Sequence, residues 1–367
     1  MTGSSTSRTA ARSRLLALVA ACAIAPATTD AAEVSAPAWT LQRSLSALRD
    51  RAMQDEEARV LSALLTREVT EAFRVMSDRG WNDPRARAAL LAYALSGGDR
   101  ALVRERLERI GERLDPSVRS ATIAYLERSG DAASPLAGAV AAFPETVRPL
   151  VHLAIGLLDP TADDAATHLR HAELLAPGTL IEEAALRHRV ALGPRAGVLA
   201  EDWHRAAVSY LRRFGAARGR TAAIRPVAHG FAVRGAKFEP IDVRQAIDAA
   251  PAAMRETLAL EIARECVLAG RAALARAALA EVRGSARKRL YAVAIGPLSA
   301  AGVPQISVPD PRDRSLLAAR RALGEAIRLP PTAGPGAGPD GGDNAFEGVE
   351  DALHDARTVL ERAGRWM

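Results

Sequence analysis

"HAELLAPGTLIEEAALRHRV", His171–Val190, is the stretch on which the reading of this chain turns. It holds a Pro-Gly step, two adjacent glutamates and two histidines, which is the raw material of an acid–base site. It also has the grammar of a helix–turn–helix joint. Apolar residues recur at helical spacing as far as Ala176, Pro177 and Gly178 turn the chain, and Thr179 stands where a helix N-cap belongs. Glu182, three residues on, completes a Thr-x-x-Glu capping box worth on the order of 1 kcal/mol. Glu183 precedes Arg187 by four residues, the spacing of a helical ion pair worth about 0.3 kcal/mol. Pro177, Gly178, Thr179 and Glu182 are therefore read as a structural turn and its cap, and both glutamates have structural work.

The same punctuation runs outward from this joint. Asp-Pro steps at Asp83-Pro84, Asp115-Pro116, Asp159-Pro160 and Asp310-Pro311 are read as helix starts. In each, the carboxylate caps free amides and Pro takes the first helical position, where its missing N–H leaves nothing unsatisfied. Gly97-Gly98, Gly130 and Gly270 are read as stops. The segments between these marks are about 12–18 residues long, with apolar residues at i, i+3, i+4 and i+7. Pairs of them recur at a spacing near the ~34–40 residues of two-helix repeats. Ala, Leu, Arg and Glu dominate the composition, and these are strong helix formers. The expected fold is all-α: a divergent tetratricopeptide-like array of helical hairpins, an α-solenoid, over residues 33–329. Such arrays mostly present surfaces to partners.

The ends carry different signals. Arg8, Arg12 and Arg14 precede the apolar run Leu15–Ala25, and small residues follow, the pattern of a secretory signal peptide over 1–32. Eleven apolar residues are too few for a stable bilayer span. Cleavage near Ala27 or Ala32 is one outcome; the other is lipidation of Cys22, because "VAAC" resembles a bacterial lipobox. The expected location is therefore the periplasm, with membrane attachment only if Cys22 is lipidated. Residues 330–344, "PPTAGPGAGPDGGDN", read as a Pro/Gly linker. Beyond it Phe346, Val349, Leu353, Ala356 and Leu360 line one face of an amphipathic helix over 345–367, which either docks back or binds another chain.

Chemistry is sparse. The net charge of +6 falls to +4 without the three N-terminal arginines and Asp30, and it is spread thinly. Lys237 and Lys288 are the only lysines, and arginines alternate with acids, so no clustered basic stripe marks a nucleic-acid partner. Cys266 sits at helical spacing with Leu258, Ile262 and Ala269 and reads as a small core residue. No HExxH, paired cysteine, GxSxG or phosphate-binding loop is present, so no metal, cofactor, small-molecule substrate or catalytic residue is expected. His168 and His171, three apart on one helix, are positioned either to face one ion or to lie on a solvated flank, and the flank is the expectation. His188 lies on the apolar side with Ile181, Ala185 and Leu192 and reads as a core histidine. Trp39, Trp81 and Trp203 each stand near a helix start. Trp81, just before an Asp-Pro cap, reads as a hydrophobic staple. The alternative, an exposed anchor for a partner, extends to Trp203 and to Arg212, Arg213 and Phe214.

Four blocks carry a family likeness: "WTLQRSLSALRDR" (Trp39–Arg51), "WNDPRARAALLAYALSGGDRALVRERL" (Trp81–Leu107), "HAELLAPGTLIEEAALRHRV", and "YLRRF" (Tyr210–Phe214) at the expected distance beyond it. Together they resemble the MotC family of periplasmic motility proteins, well over about 40–230 and weakly to about 330. The resemblance implies a non-enzymatic accessory of the flagellar motor that associates with the periplasmic part of the stator protein MotB. It carries over no catalytic residue. A general envelope scaffold or lipoprotein built of helical repeats is the alternative. An enzyme acting on peptidoglycan would need a deep cleft converging on His188 or the paired glutamates.

Overall fold

Among the described residues the regular structure is fourteen α-helices and four short 3-10 turns, with no strand. The structure, a computed structural model, describes residues 36–292 apart from 54, 130, 160, 194–197, 217–220, 284–287 and 290. The segments expected to be a signal peptide (1–32), the end of the array (293–329), a linker (330–344) and a terminal helix (345–367), with the cap expected at Asp310-Pro311, lie outside the described residues. The all-α expectation holds. No helix of the described residues is long and apolar enough to cross a membrane.

The first half comprises α1 (Ala36–Ala52), α2 (Glu56–Val75), α3 (Pro84–Leu95), α4 (Arg100–Ile110), α5 (Pro116–Glu127), α6 (Ala133–Ala139) and α7 (Arg148–Leu158). The second comprises α8 (Ala162–Leu175), α9 (Leu180–Leu192), α10 (Ala200–Phe214), α11 (Thr221–Val233), α12 (Pro240–Ala249), α13 (Ala252–Leu268) and α14 (Ala272–Ala280). The expected caps explain two of these starts: Asp83 accepts from the Arg85 amide at 2.8 Å, and Asp115 from the Ser117 amide at 2.8 Å. Asp55 and Asp99 cap α2 and α4 in the same way without a proline behind them. Asp159 departs from expectation. Its carboxylate takes the Thr161 amide at 2.8 Å, so it forms a turn one step early and α8 begins after Thr161.

The stops at Gly97 and Gly270 are as read, both left-handed. In each the next amide reaches back across the last turn, Gly98 to the Tyr93 carbonyl at 2.9 Å and Arg271 to the Cys266 carbonyl at 2.7 Å. The third stop is a correction. Helix α5 ends not at Gly130 but at Arg128, a non-glycine residue at φ 52°, with Ser129 donating to the Ala124 carbonyl at 3.2 Å.

Packing follows two rules. Neighbours in sequence pair: α1 with α2, α7 with α8, α8 with α9, and α13 with α14. From α7 onward the helices, α8 excepted, also pack on the next but one, giving one row of α7, α9, α11 and α13 and a second of α10, α12 and α14. That is the contact pattern of a stacked hairpin array. The first half is less regular, with α3 in contact with α1, α5 and α7. The apolar faces close into two large cores, one within 38–155 and one within 186–291. A smaller cluster of Ala165, Leu169, Ala172, Ala185 and Leu192 lies between them. The α8–α9 hairpin, which contains the Pro-Gly turn, is thus the joint between the two cores.

Candidate functional site

The turn itself is structural, with one change from the expected box. Gly178 turns left-handed, at φ 80°. The Thr179 hydroxyl donates to the Ala176 carbonyl at 2.7 Å and accepts weakly from the Glu182 amide at 3.5 Å. Glu182 does not return to the Thr179 amide. Its carboxylate takes the Gly178 amide at 2.5 Å, one residue further back, and pairs with Arg213 from α10. The side chain is fully buried, so this pairing is what makes a charge there tolerable. A second carboxylate reaches the same helix end: Asp50 of α1 accepts from the Leu180 amide at 2.7 Å. Glu183 pairs with Arg187 at 3.3 Å, as its spacing implies, and accepts from the Tyr210 hydroxyl at 3.1 Å. Burial first, then the Glu183 charge, pushes the Tyr210 hydroxyl up. Arg189 of α9 pairs with Glu173 of α8, locking the hairpin.

Most of the residues offered as partner anchors are not surface groups. Trp81 is buried against Phe73, ring centroids 6.1 Å apart. Trp203 is buried with its indole N–H donating to the Val190 carbonyl at 3.0 Å, and Phe214 is buried in the same core. Arg213 is committed to Glu182 and lies over the Phe214 ring at 5.8 Å. Arg212 is exposed. The anchor reading is therefore corrected for Trp81, Trp203 and Phe214, whose apolar surface is already used inside the fold. Cys266 is fully buried, and burial pushes its thiol up to about 12, consistent with a core residue.

Among the described residues Trp39 is the tryptophan left half-exposed. It forms a wall of a cleft of about 830 Å³ between α1, α3 and the segment before α7. Arg43 and Arg85 lie over its ring at 5.5 and 5.4 Å, and Gln42, Asp50 and Thr146 also line the cleft. The Trp39–Arg43 spacing of four was legible in the sequence; the approach of Arg85 was not.

The histidines regroup. His168 and His171 of α8 face His152 of α7, with ring centroids 5.2 and 4.9 Å from that of His152. The Nδ1 atoms of His152 and His168 are 2.9 Å apart. This overturns the solvated-flank reading for His168, which is half-buried, while His171 is exposed. Desolvation first, then the neighbouring rings, brings the His152 imidazole down to about 4; desolvation likewise lowers His168. Gly156 makes the meeting possible: a Cβ there would stand 2.6 Å from Leu169, so α7 and α8 approach closely. His188 is half-buried and lowered, first by desolvation and then by Arg187. His204 instead meets the Asp242 carbonyl at 3.1 Å. His152 was missed because it lies sixteen residues before His168 on another helix.

The family model described as "Chemotaxis protein MotC" matches residues 4–295. A protein of Rhizobium meliloti (strain 1021) with the same description is 30% identical over 348 residues, covering 86% of this chain and 77% of that protein. No solved structure matches. With the four sequence blocks seated on one helical array and the match spanning most of the chain, this protein belongs to the MotC family of chemotaxis proteins.

Proposed function

We propose that this protein is a non-catalytic, periplasmic accessory of the flagellar motor, required for motility, that binds the periplasmic part of the stator protein MotB. The observation that carries this reading is membership of the MotC family along most of the chain. The architecture supports it, because stacked hairpins present extended faces to a partner. The Trp39 cleft is the best-equipped face. Its half-exposed aromatic and two arginines are residue types over-represented among strong interface contacts, and they suit an acidic or carboxylate-bearing segment. The array acts by holding one orientation of the stator: it favours that state only by the difference in its affinity for the two states.

The test is a binding titration of the exported chain against the periplasmic part of MotB, with swimming of a deletion strain assayed beside it. The expected result is a one-site complex and a strain that assembles flagella but does not swim. Raising salt from about 0.1 M to about 1 M shortens the screening length from about 10 Å to about 3 Å and should weaken the complex at least tenfold. The Arg43→Glu/Arg85→Glu double variant should do the same at low salt. Absence of binding together with normal swimming overturns the reading. Mass spectrometry of the exported chain distinguishes cleavage near Ala27 or Ala32 from lipidation at Cys22.

A further inference from the structure

We propose that His152, His168 and His171 form a site for one divalent transition-metal ion of the zinc class, clasping α7 to α8. One candidate ligand atom from each ring lies within 4.8 Å of the other two, and the ligands come from two helices held in register. His168 and His171 are three apart on α8 and so share a face, while His152 is presented from α7 across the close contact at Gly156.

The spacing suits an ion. At Zn–N distances of about 2.0–2.1 Å, tetrahedral geometry places ligand nitrogens about 3.3 Å apart. The 2.9 Å between the Nδ1 atoms of His152 and His168 is the distance of a shared proton, and it opens to the metal spacing by a small ring rotation. Among the described residues no carbonyl or carboxylate hydrogen-bonds to any of the three rings. Their hydrogen-bond contact among the described residues is with one another, His152 with His168. Neutral imidazole is the form that ligates. Imidazole ligands select zinc, nickel, copper and cobalt over the oxygen-seeking calcium and magnesium. Three protein ligands leave a fourth position on the solvent side, where His171 is exposed.

The place in the fold gives the clasp a consequence. Helix α7 belongs to the first core through Val151, Ala154 and Ile155, whereas α8 supplies Ala165, Leu169 and Ala172 to the small cluster between the cores. An ion held by both helices ties the first core to the joint, and binding to the folded state alone raises stability by mass action.

The experiment is a zinc titration of the untagged exported chain, freed of metal by chelator and dialysis, against a chromophoric competitor. One equivalent should bind with micromolar or tighter affinity, raise the melting temperature by several degrees, and be mimicked by Co2+ with the visible bands of tetrahedral nitrogen coordination. Calcium and magnesium should have no effect. His171→Gln changes an exposed side chain and should keep the fold, checked by circular dichroism, while weakening zinc at least tenfold. His152→Asn should do the same, and His204→Gln, outside the cluster, should bind like the parent. The proposal is overturned if the parent shows no saturable one-equivalent binding, if His171→Gln and His152→Asn both lose less than tenfold, or if His204→Gln loses as much as they do.

Discussion

Trp203 owes its seat to two residues that lack a side chain. A Cβ on Gly193 would lie 1.9 Å from the indole, and one on Gly230 2.0 Å, so the ring is sandwiched where no other residue type fits. Gly230→Ala should therefore destabilise the protein by about 2 kcal/mol or more, since backbone must move to relieve the overlap; a denaturant midpoint unchanged from the parent would refute this. Arg128 poses the opposite case. Its left-handed backbone strains any residue with a Cβ, so Arg128→Gly should stabilise by about 0.5–1 kcal/mol, read as a higher melting temperature. His152 makes a pH prediction. Its folded value, about 4, lies below the ordinary 6.5, so the unfolded chain binds more protons between those values and stability falls as pH drops through that window. The full difference corresponds to about 3 kcal/mol, and partial exposure with screening reduces it to about 1–2 kcal/mol. Arg148 on the same helix reinforces the effect, while Asp159 and Asp164 beside His168 oppose it. Chemical denaturation of metal-free protein at pH 7 and pH 4.5, compared with His152→Leu, measures the slope that the histidine contributes.

At the scale of elements, the hairpin of α8 and α9 shows what local reading can reach. Its turn, its Thr179 cap and the Glu183–Arg187 pair were all legible, because each is decided within about four residues. The destination of Glu182 was not, since Arg213 arrives from a different helix and Gly178 outcompetes the Thr179 amide. Nor was Asp50, which caps the same helix from 130 residues away. Asp50→Ala should cost about 1 kcal/mol, the usual loss of an N-cap, and should speed hydrogen exchange in both α1 and the first turn of α9. Faster exchange confined to α1 would show that the contact does not join them.

At the scale of the whole molecule, two large cores meet through one small cluster, so damage should spread unevenly. Trp203→Ala, which empties the centre of the second core, should lower hydrogen-exchange protection across 198–283 by more than across 38–155. Equal loss in both halves would mean that the array unfolds as a single unit. The sequence by itself determined the all-α class, the helix starts at Asp83, Asp115 and Thr179, the stops at Gly97 and Gly270, the hairpin nature of the Pro-Gly stretch and the family likeness, because caps, periodicity and turn residues act over one or two turns of chain. Tertiary structure alone decided which tryptophans are spent in cores, which arginine neutralises a buried glutamate, and that three histidines from two helices meet. Those outcomes depend on how closely helices approach and on which faces they turn to one another, and a glycine such as Gly156 sets that approach only when its neighbour is known.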